Sequence, residues 1–229
     1  MIATTFDTLY QPGDVCEVRA LLRGPRGLSP YYDGWSSGIV YGYFDNGAAL
    51  ESAVVPLDES GLCSGIYVTL NPVQPDLMAR AMNRLKGAKK GTPTATDADI
   101  VRRRWVLVDV DPVRAAGVSA TDEELKASVT VSKAVLSYMR GIGWAEPIRA
   151  LSGNGMHLLY PVDLPNDEDS KTFVQTVLSG LSSMFSQPLV SVDPVMFNAA
   201  RITKLYGTVA RKGDNHPLRP WRKSLILEG

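Results

Sequence analysis

The spacing of apolar and polar positions predicts a chain in which short strands alternate with longer helices. Runs with strand-like alternation or short, dense apolar character cover residues 15–21, 39–44, 66–70, 105–110, 148–151, 156–161, 190–192, 202–206 and 224–227. Helical spacing begins near Ala48, after the candidate caps Asp45 and Asn46, and recurs at residues 77–86, 123–140 and 168–185. Thr121, or Ser119 before it, is expected to cap the helix over 123–140.

Residues 86–99 interrupt this pattern, because Lys, Gly, Thr, Pro and Ala follow one another there without periodicity. We predict a linker there and two modules, an N-terminal α/β module over 1–90 and a second module over 100–229. The second module has the order strand, helix, two strands, helix, strand, as in the RNA-recognition type of sheet with two helices. The predicted fold class is therefore α+β, with a mixed or antiparallel sheet in the second module.

Composition narrows the classes of protein and of site. Apolar residues make up 45% of the 229 residues, which supports a sizeable core, and 24 basic residues balance 24 acidic ones. Zero net charge argues against a simple nucleic-acid coat protein, although it hides local basic patches. The two cysteines and two histidines lack the spacing of a zinc site, so no zinc is expected. No signal peptide or membrane span is visible, and we expect a cytoplasmic protein without a membrane partner.

Two aspartates, Asp109 and Asp111, end the apolar run over 105–110. Side chains two positions apart on a strand point to the same face, with Cα atoms roughly 6.5 Å apart. Their mutual repulsion would be relieved by Mg²⁺ or Mn²⁺, and two such ions can clamp an attacking hydroxyl and phosphate oxygens. The alternative is a solvated turn, which Pro112 would suit. The pair therefore predicts a metal site, on the strength of the buried strand that carries it.

Asp193 is a third candidate acid. It follows another short apolar run, 190–192, and precedes Pro194. An ordinary loop aspartate is the alternative, and the local pattern by itself favours that alternative.

The segment from Ser152 to His157 joins two predicted strands and contains Gly153 and Gly155. Glycines permit positive φ, so backbone N–H groups of such a turn can face outward and cradle phosphate oxygens. The Ser152 hydroxyl and the His157 imidazole would serve the same anion. The alternative is a hairpin turn of the Asn-Gly kind, with a histidine that happens to follow it.

Basic residues are concentrated at the C-terminus. From residue 201 onward the sequence has seven basic residues and only two acidic ones. Arg201 and Lys204 are of the types that bind a triphosphate. Further basic residues are candidates for contacts with a nucleic-acid backbone, namely Arg102, Arg103, Arg211, Lys212 and Arg222. For each of these residues a solvated face is an equally good interpretation.

Taken together, these motifs resemble the archaeo-eukaryotic primase superfamily. The order is a strand ending in Asp109-x-Asp111, then Ser152-Gly-x-Gly-x-His157, then a strand ending in Asp193. Three further segments are similar to the primase-polymerases of phages, plasmids and CRISPR-associated elements. They are Ile66-Tyr-Val-Thr-Leu-Asn71-Pro72, Asn198-Ala-Ala-Arg201-Ile-x-Lys204-x-Tyr-Gly207-Thr208 and Arg211-Lys212-Gly213.

The resemblance implies a two-module primase fold and a DNA-dependent primase-polymerase that acts on a single-stranded template and primer. It implies two Mg²⁺ or Mn²⁺ ions held by Asp109, Asp111 and Asp193. It also implies that a set of six residues contacts the nucleoside triphosphate, namely Ser152, Asn154, Gly155, His157, Arg201 and Lys204. Relatives are often fused to a helicase, so a helicase or a CRISPR adaptation protein is an expected partner. Pro220-Trp221-Arg222 departs from the Pro-His-Arg of many relatives.

Two other functions fit parts of the pattern. A metal-dependent nuclease or nicking domain could use the same acids, but a rolling-circle type would need paired histidines beside a tyrosine. A non-catalytic single-strand-binding module would not need three aspartates at strand ends. Such a module should show aromatics on central strands, where Trp105 is the obvious one. Candidates for stacking on template bases are Tyr31, Tyr32, Trp35 and Trp221, and core packing or loop ordering explains these aromatics equally well.

Overall fold

The computed structural model describes residues 1–23, 30–31 and 36–227. Tyr32 and Trp35, two of the candidate stacking aromatics, lie outside the described residues. None of the described helices has the length and apolar character needed to cross a membrane.

The first sheet is antiparallel and has the strand order β4-β2-β1-β3-β9. Its elements are α1 (Ile2–Leu9), β1 (Cys16–Leu22), β2 (Ser36–Phe44), α2 (Gly47–Glu59), β3 (Cys63–Thr69), β4 (Lys86–Lys89) and β9 (Ile202–Lys204). The last of these strands comes from the C-terminal part of the chain and pairs with β3 at the edge of the sheet.

The second sheet is also antiparallel and has the order β12-β6-β7-β5-β8. Its elements are β5 (Arg103–Pro112), α3 (Asp122–Gly141), β6 (Ile148–Leu151), β7 (Met156–Leu164), α4 (Glu168–Phe185), β8 (Val190–Val192) and β12 (Leu225–Leu227). Two short strands, β10 (Val209–Ala210) and β11 (Arg222–Lys223), pair with each other in a separate two-stranded sheet. From β5 to β8 the chain runs β-α-β-β-α-β, and β5 and β7 are central. This confirms the α+β class and the RNA-recognition-like order of the second module.

Burial along β5 explains how the second sheet presents its acids. Val106, Val108 and Val110 are fully buried, whereas Asp109 and Asp111 alternate with them and are only partly buried. Since successive side chains of a strand point to opposite faces, the valines anchor one face and the aspartates occupy the other. One apolar core runs through both sheets and includes residues from α1 to Tyr206.

Helix starts agree with the sequence. Asn46 caps α2 by accepting the Ala49 N–H, at 2.8 Å. Thr121 caps α3 in a reciprocal box, in which its hydroxyl accepts the Glu124 N–H and the Glu124 carboxylate accepts the Thr121 N–H. Each such cap satisfies N–H groups that have no partner within the helix.

Two expectations for residues 77–99 are wrong. The predicted helix over 77–86 is replaced by a short 3₁₀ turn, Pro75–Arg80, after which the chain turns at Asn83 with φ +46°. The predicted linker over 86–99 contains strand β4, which pairs with the edge of β2. Tyr43 on β2 accepts an N–H from Asn83 and donates its own to Ala81. Pairing with an open sheet edge therefore outweighed the local helical period, as tertiary context often does. The helix α1 was not predicted.

Candidate functional site

A cavity of about 170 Å³ lies where the two sheets meet. Its lining includes seven of the residues singled out in the sequence for metal or nucleotide binding, namely Asp109, Asp111, Ser152, Asn154, His157, Arg201 and Lys204. These residues come from β5, the β6–β7 turn, β7 and the segment around β9. The fold therefore brings together side chains from three separate parts of the sequence.

The two acids form one side of this cavity. Asp109 Oδ1 is buried and has no hydrogen-bond partner among the described atoms, although His157 Nε2 lies 3.5 Å away. Burial and the charge of Asp109 both raise the pKa of Asp111, while Arg114, 3.5 Å from Asp111 Oδ2, opposes them. An unpartnered buried oxygen beside a second carboxylate is the chemistry that a divalent cation satisfies. The pair therefore fits the predicted metal.

A backbone hydrogen bond places Asp193 beside this pair. Its N–H donates to the Asp109 carbonyl at 2.9 Å, and its own carboxylate accepts the Val195 N–H at 2.8 Å. Asp193 is not among the described residues that line the cavity. Within the described part of the chain, no group of three or more His, Cys, Asp and Glu residues is placed to hold a metal ion. Asp193 as third ligand therefore stays a prediction.

The turn over Ser152–Gly155 brings the backbone close to the acids. A Cβ at Gly155 would lie 2.1 Å from Asp111 Oδ1 and 2.5 Å from the Val110 carbonyl oxygen, so only glycine fits. The Ser152 hydroxyl accepts the N–H groups of Asn154 and Gly155, at 3.3 and 3.0 Å. These two N–H groups are satisfied within the turn, whereas the sequence led us to expect them to face outward.

Asn154 links this turn to the start of α3. Its side chain is buried, and its Oδ1 accepts the Ala120 N–H at 2.8 Å. Asn154 also lines the cavity. Its amide therefore fixes the turn relative to α3, and nucleotide binding by Asn154 and Gly155 stays a prediction.

His157 stands opposite Asp109 in the β5–β7 register. It is 5% exposed, and its Nδ1 lies 2.7 Å from the Tyr206 hydroxyl and 3.4 Å from Thr203 Oγ1. The ring is therefore held between the Asp109 carboxylate on the second sheet and two hydroxyls, one from Thr203 on β9 and one from Tyr206, which follows β9 in the chain. The sequence did not single out Tyr206 or Thr203. Their positions beside Arg201 and Lys204 in one motif were the available signal.

Two cationic side chains reach the cavity from the β9 side. Lys204 is 3% exposed, donates to the Val209 carbonyl at 3.1 Å, and lies 5.5 Å from the centre of the Tyr67 ring. Burial lowers the pKa of Lys204 to about 7, and Asp58 partly offsets this. Arg201 donates to the Val195 carbonyl, and its buried Nε has no partner among the described atoms. Both have donor capacity that a bound anion would use.

Tyr67 is a lining residue that the sequence did not identify as functional. It lies on β3, opposite Lys204 in the register of β3 and β9. Burial raises its pKa, and the charges of Asp111 and Asp109 raise it further. A Cβ at Gly65 would lie 2.7 Å from the Tyr67 hydroxyl, so this glycine leaves room for the ring.

Arg211 and Lys212, both candidates for nucleic-acid contacts, differ in position. Arg211 is buried and forms an ion pair with Asp58 at 2.6 Å, and its second nitrogen donates to the Asp58 carbonyl. Lys212 lines the cavity and also a neighbouring one beside Arg114. Arg211 therefore holds the fold together, whereas Lys212 faces the site.

The other three candidates have protein partners. The Arg222 guanidinium binds Asp122 and the Ala120 carbonyl at the start of α3, at 2.6 and 2.7 Å. Arg102, which is partly exposed, forms an ion pair with the carboxylate of Asp163. Arg103 is buried and donates to the Phe197 carbonyl at 2.7 Å. Their roles toward nucleic acid stay predictions.

The sequence matches no protein-family model and no curated protein. Among solved structures, the chain is similar to the polymerase domain from Mycobacterium tuberculosis Ligase D in complex with DNA. Sequence identity is 15%, the TM-score is 0.49, and the match covers 97% of this chain and 78% of that chain.

Proposed function

We propose that this chain is a nucleotidyltransferase of the primase-polymerase type. It would transfer nucleotides from nucleoside or deoxynucleoside triphosphates to the 3′-hydroxyl of a primer on a single-stranded DNA template, with pyrophosphate as the leaving group. The observation that supports this most is the division of the cavity into an acidic side, Asp109 and Asp111, and a cationic side, Arg201 and Lys204.

The two sides complement the two parts of a metal-bound triphosphate. Carboxylate oxygens are the ligands that Mg²⁺ and Mn²⁺ prefer, and Asp109 Oδ1 has no partner among the described atoms. Guanidinium and ammonium groups suit phosphate oxygens. A single-strand-binding module would have no use for a buried, unpartnered carboxylate oxygen. The arrangement therefore favours an enzyme over a binding module.

Asp109 and Asp111 would hold the cations, with Asp193 as a third ligand from β8. When bound, two such ions would activate the 3′-hydroxyl and stabilise the leaving oxygens. His157 would donate a hydrogen bond to a phosphate oxygen. Lys204 has a lowered pKa because it is buried, so a bound triphosphate would draw a proton onto its amine.

The remaining assignments concern the turn, the nucleotide and the strand. The triphosphate would lie against the β6–β7 turn, in contact with Ser152, Asn154 and Gly155. Tyr67 would pack against the sugar or base, because its ring lines the cavity on the β3 side. Lys212 is our first candidate for a template or primer phosphate, since it lines both neighbouring cavities. A helicase or an adaptation protein is the partner class that the family resemblance suggests.

The test is nucleotide incorporation on primed and unprimed single-stranded DNA with Mg²⁺ or Mn²⁺. Asp109→Asn and Asp111→Asn should each abolish incorporation, because the amide cannot replace a charged ligand. Asp7→Asn, an exposed position on α1, is the matched control and should leave the rate unchanged. Asp193→Asn should cost less than Asp109→Asn, since its carboxylate already binds a backbone N–H outside the cavity.

The outcomes separate the rival functions. A wild type that shortens the DNA strand, with both aspartate variants unable to do so, would identify a nuclease. Strand binding without incorporation or cleavage would identify a binding module. Equal incorporation by wild type and by Asp109→Asn would show that the acids are wrongly assigned.

A further inference from the structure

His157 makes contacts of opposite chemical character at its two ring nitrogens. Nε2 lies 3.5 Å from Asp109 Oδ1, and Nδ1 lies 2.7 Å from the Tyr206 hydroxyl. Both Tyr206 and His157 are buried, at 0% and 5% exposure, so the described protein groups decide which nitrogen carries the proton. A neutral imidazole has one donor and one acceptor nitrogen.

The carboxylate determines the Nε2 side. An ionised carboxylate only accepts hydrogen bonds, and Asp109 Oδ1 has no other partner among the described atoms. A deprotonated Nε2 would place two lone pairs against each other in a buried place, which is costly. Nε2 should therefore carry the proton.

The hydroxyls then determine the Nδ1 side. If Nε2 is the donor, Nδ1 of a neutral ring must accept, and a phenol can donate to it. Burial raises the pKa of Tyr206, so this phenol keeps its proton. Thr203 Oγ1 lies near the same nitrogen, at 3.4 Å, and supplies a second hydroxyl to this group.

We propose that Tyr206 is a positioning residue, whose hydroxyl fixes His157 as the Nε2–H tautomer and directs that N–H toward the cavity. A histidine whose second nitrogen is held by a hydrogen-bond partner keeps both its orientation and its tautomer. This part of the inference rests on the proposed function: with cations held by Asp109, this N–H would be the donor to a triphosphate oxygen. The tautomer itself can be measured without any activity.

The sequence makes this measurement simple, because the chain has only two histidines, His157 and His216. With ¹⁵N-labelled histidine, long-range ¹H–¹⁵N spectra distinguish a protonated from an unprotonated ring nitrogen. The spectra are recorded at about pH 8.5, roughly two units above the ordinary imidazole pKa. Wild-type His157 should show one tautomer, with Nε2 protonated and Nδ1 accepting. His216 is the reference in the same spectrum.

The informative variant is Tyr206→Phe, which removes the hydroxyl and keeps the ring. His157 should lose its single-tautomer pattern, while His216 is unchanged. The matched control is Tyr160→Phe, because Tyr160 also has a buried hydroxyl and lies on β7 with His157. Its hydroxyl has no partner among the described atoms, so the control should leave the His157 spectrum unaltered.

A kinetic readout separates positioning from general structural support. Tyr206→Phe should raise KM for the triphosphate by about 10-fold, the lower end of the loss seen when the hydrogen-bond partner of a metal-bound histidine is removed, with a smaller change in kcat. Tyr160→Phe should change neither. A wild type that incorporates no nucleotide would overturn the proposed function, while the spectra would still decide the tautomer.

Two results would overturn the inference. One is a wild-type His157 with the proton on Nδ1. The other is a Tyr206→Phe protein whose His157 spectrum and KM match those of wild type. If Tyr206→Phe does not fold, uniform 3-fluorotyrosine labelling replaces it, because fluorination strengthens the phenol as a donor. The His157 Nδ1 signal should then shift, and an unshifted signal would also overturn the inference.

Discussion

The two sides of the cavity are built in different ways. The acidic side belongs to β5 and β7 of the second sheet, where Asp109 and Asp111 are two residues apart and His157 is a direct cross-strand neighbour. The cationic side belongs to β3 and β9 of the first sheet, where Tyr67 pairs with Lys204 from the far end of the chain. One side follows from the alternation within a strand, and the other from a long-range pairing.

This difference predicts which substitutions would damage each side of the cavity. The acidic side depends on the close approach of Gly155 to Asp111. The cationic side depends on what holds the segment after β9 against the first sheet. Asp58 near the end of α2 does this, because its carboxylate accepts the Val209 N–H and binds Arg211. Separate substitutions should therefore damage one side and spare the other.

The largest expected effect on stability comes from Arg211→Met. Asp58 and Arg211 have side chains only 10% and 8% exposed, so removing one partner leaves a buried charge without its ion pair. We expect a loss of about 3–5 kcal/mol in the free energy of unfolding, measured with denaturant. Incorporation should fall with it, because Lys204 lies on the same segment.

The control for that prediction is the double variant Asp58→Asn with Arg211→Met. It removes the uncompensated charge and should recover part of the lost stability. A double variant less stable than Arg211→Met would contradict the assignment of the loss to a buried charge.

Gly155→Ala should damage the acidic side. The new methyl group would lie 2.1 Å from Asp111 Oδ1 and 2.5 Å from a backbone oxygen, so the turn or β5 must move. We expect about 1–3 kcal/mol of destabilisation, together with nearly complete loss of incorporation. Gly180→Ala, in α4 with nothing within 4 Å of its Cβ position, is the control. It should stabilise by roughly 0.5–1 kcal/mol with no loss of activity; equal effects at the two glycines would refute the steric argument.

Lys204→Met tests the role of charge on the cationic side, because its effect on stability should depend on pH. In the folded protein the pKa of Lys204 is about 7, below its ordinary value of 10.5, because the amine is buried. Between these two pH values the Lys204 amine binds more protons in the unfolded chain than in the folded protein. The contribution of Lys204 to the free energy of unfolding of wild type therefore rises with pH and is lowest below about pH 7. The methionine variant lacks this dependence.

The measurement is the free energy of unfolding of both proteins between about pH 6 and pH 10. The stability of Lys204→Met relative to wild type should be greatest near pH 7 and below. It should decline by up to about 1.4 kcal/mol per pH unit as pH rises toward 10.5. A difference that does not vary with pH would mean that the amine is not held neutral by burial. Triphosphate affinity should fall in the variant at every pH.

Much of the candidate site could be predicted from the sequence. Asp109 and Asp111 followed from strand alternation, His157 from the glycine-rich turn, and Arg201 and Lys204 from the basic C-terminal stretch; the family resemblance joined them into one site, and the fold brings all five to one cavity. Tyr206 and Thr203 were not predicted as site residues. A tyrosine next to Leu205 looks like a core residue until the partner of its hydroxyl is known.

The error at residues 77–99 has a related cause. Leu77, Met78 and Ala81 are buried as a helical period requires, but the buried positions also fit a turn beside β2. The period alone could not show that β2 had an unpaired edge nearby. Strand β4 satisfies the hydrogen-bonding groups of that edge, which a helix would have left open.

The sequence by itself determined the α+β class, the β-α-β-β-α-β order and the shared face of Asp109 and Asp111. These depend on local periods of two and 3.6 residues, which are written directly into the order of side chains. Only the tertiary structure decided that β9 joins the first sheet, that Asp58 holds Arg211, and that Tyr206 contacts His157. Those contacts join residues far apart in the chain, and their partners are selected by packing and hydrogen bonding, which no local period records.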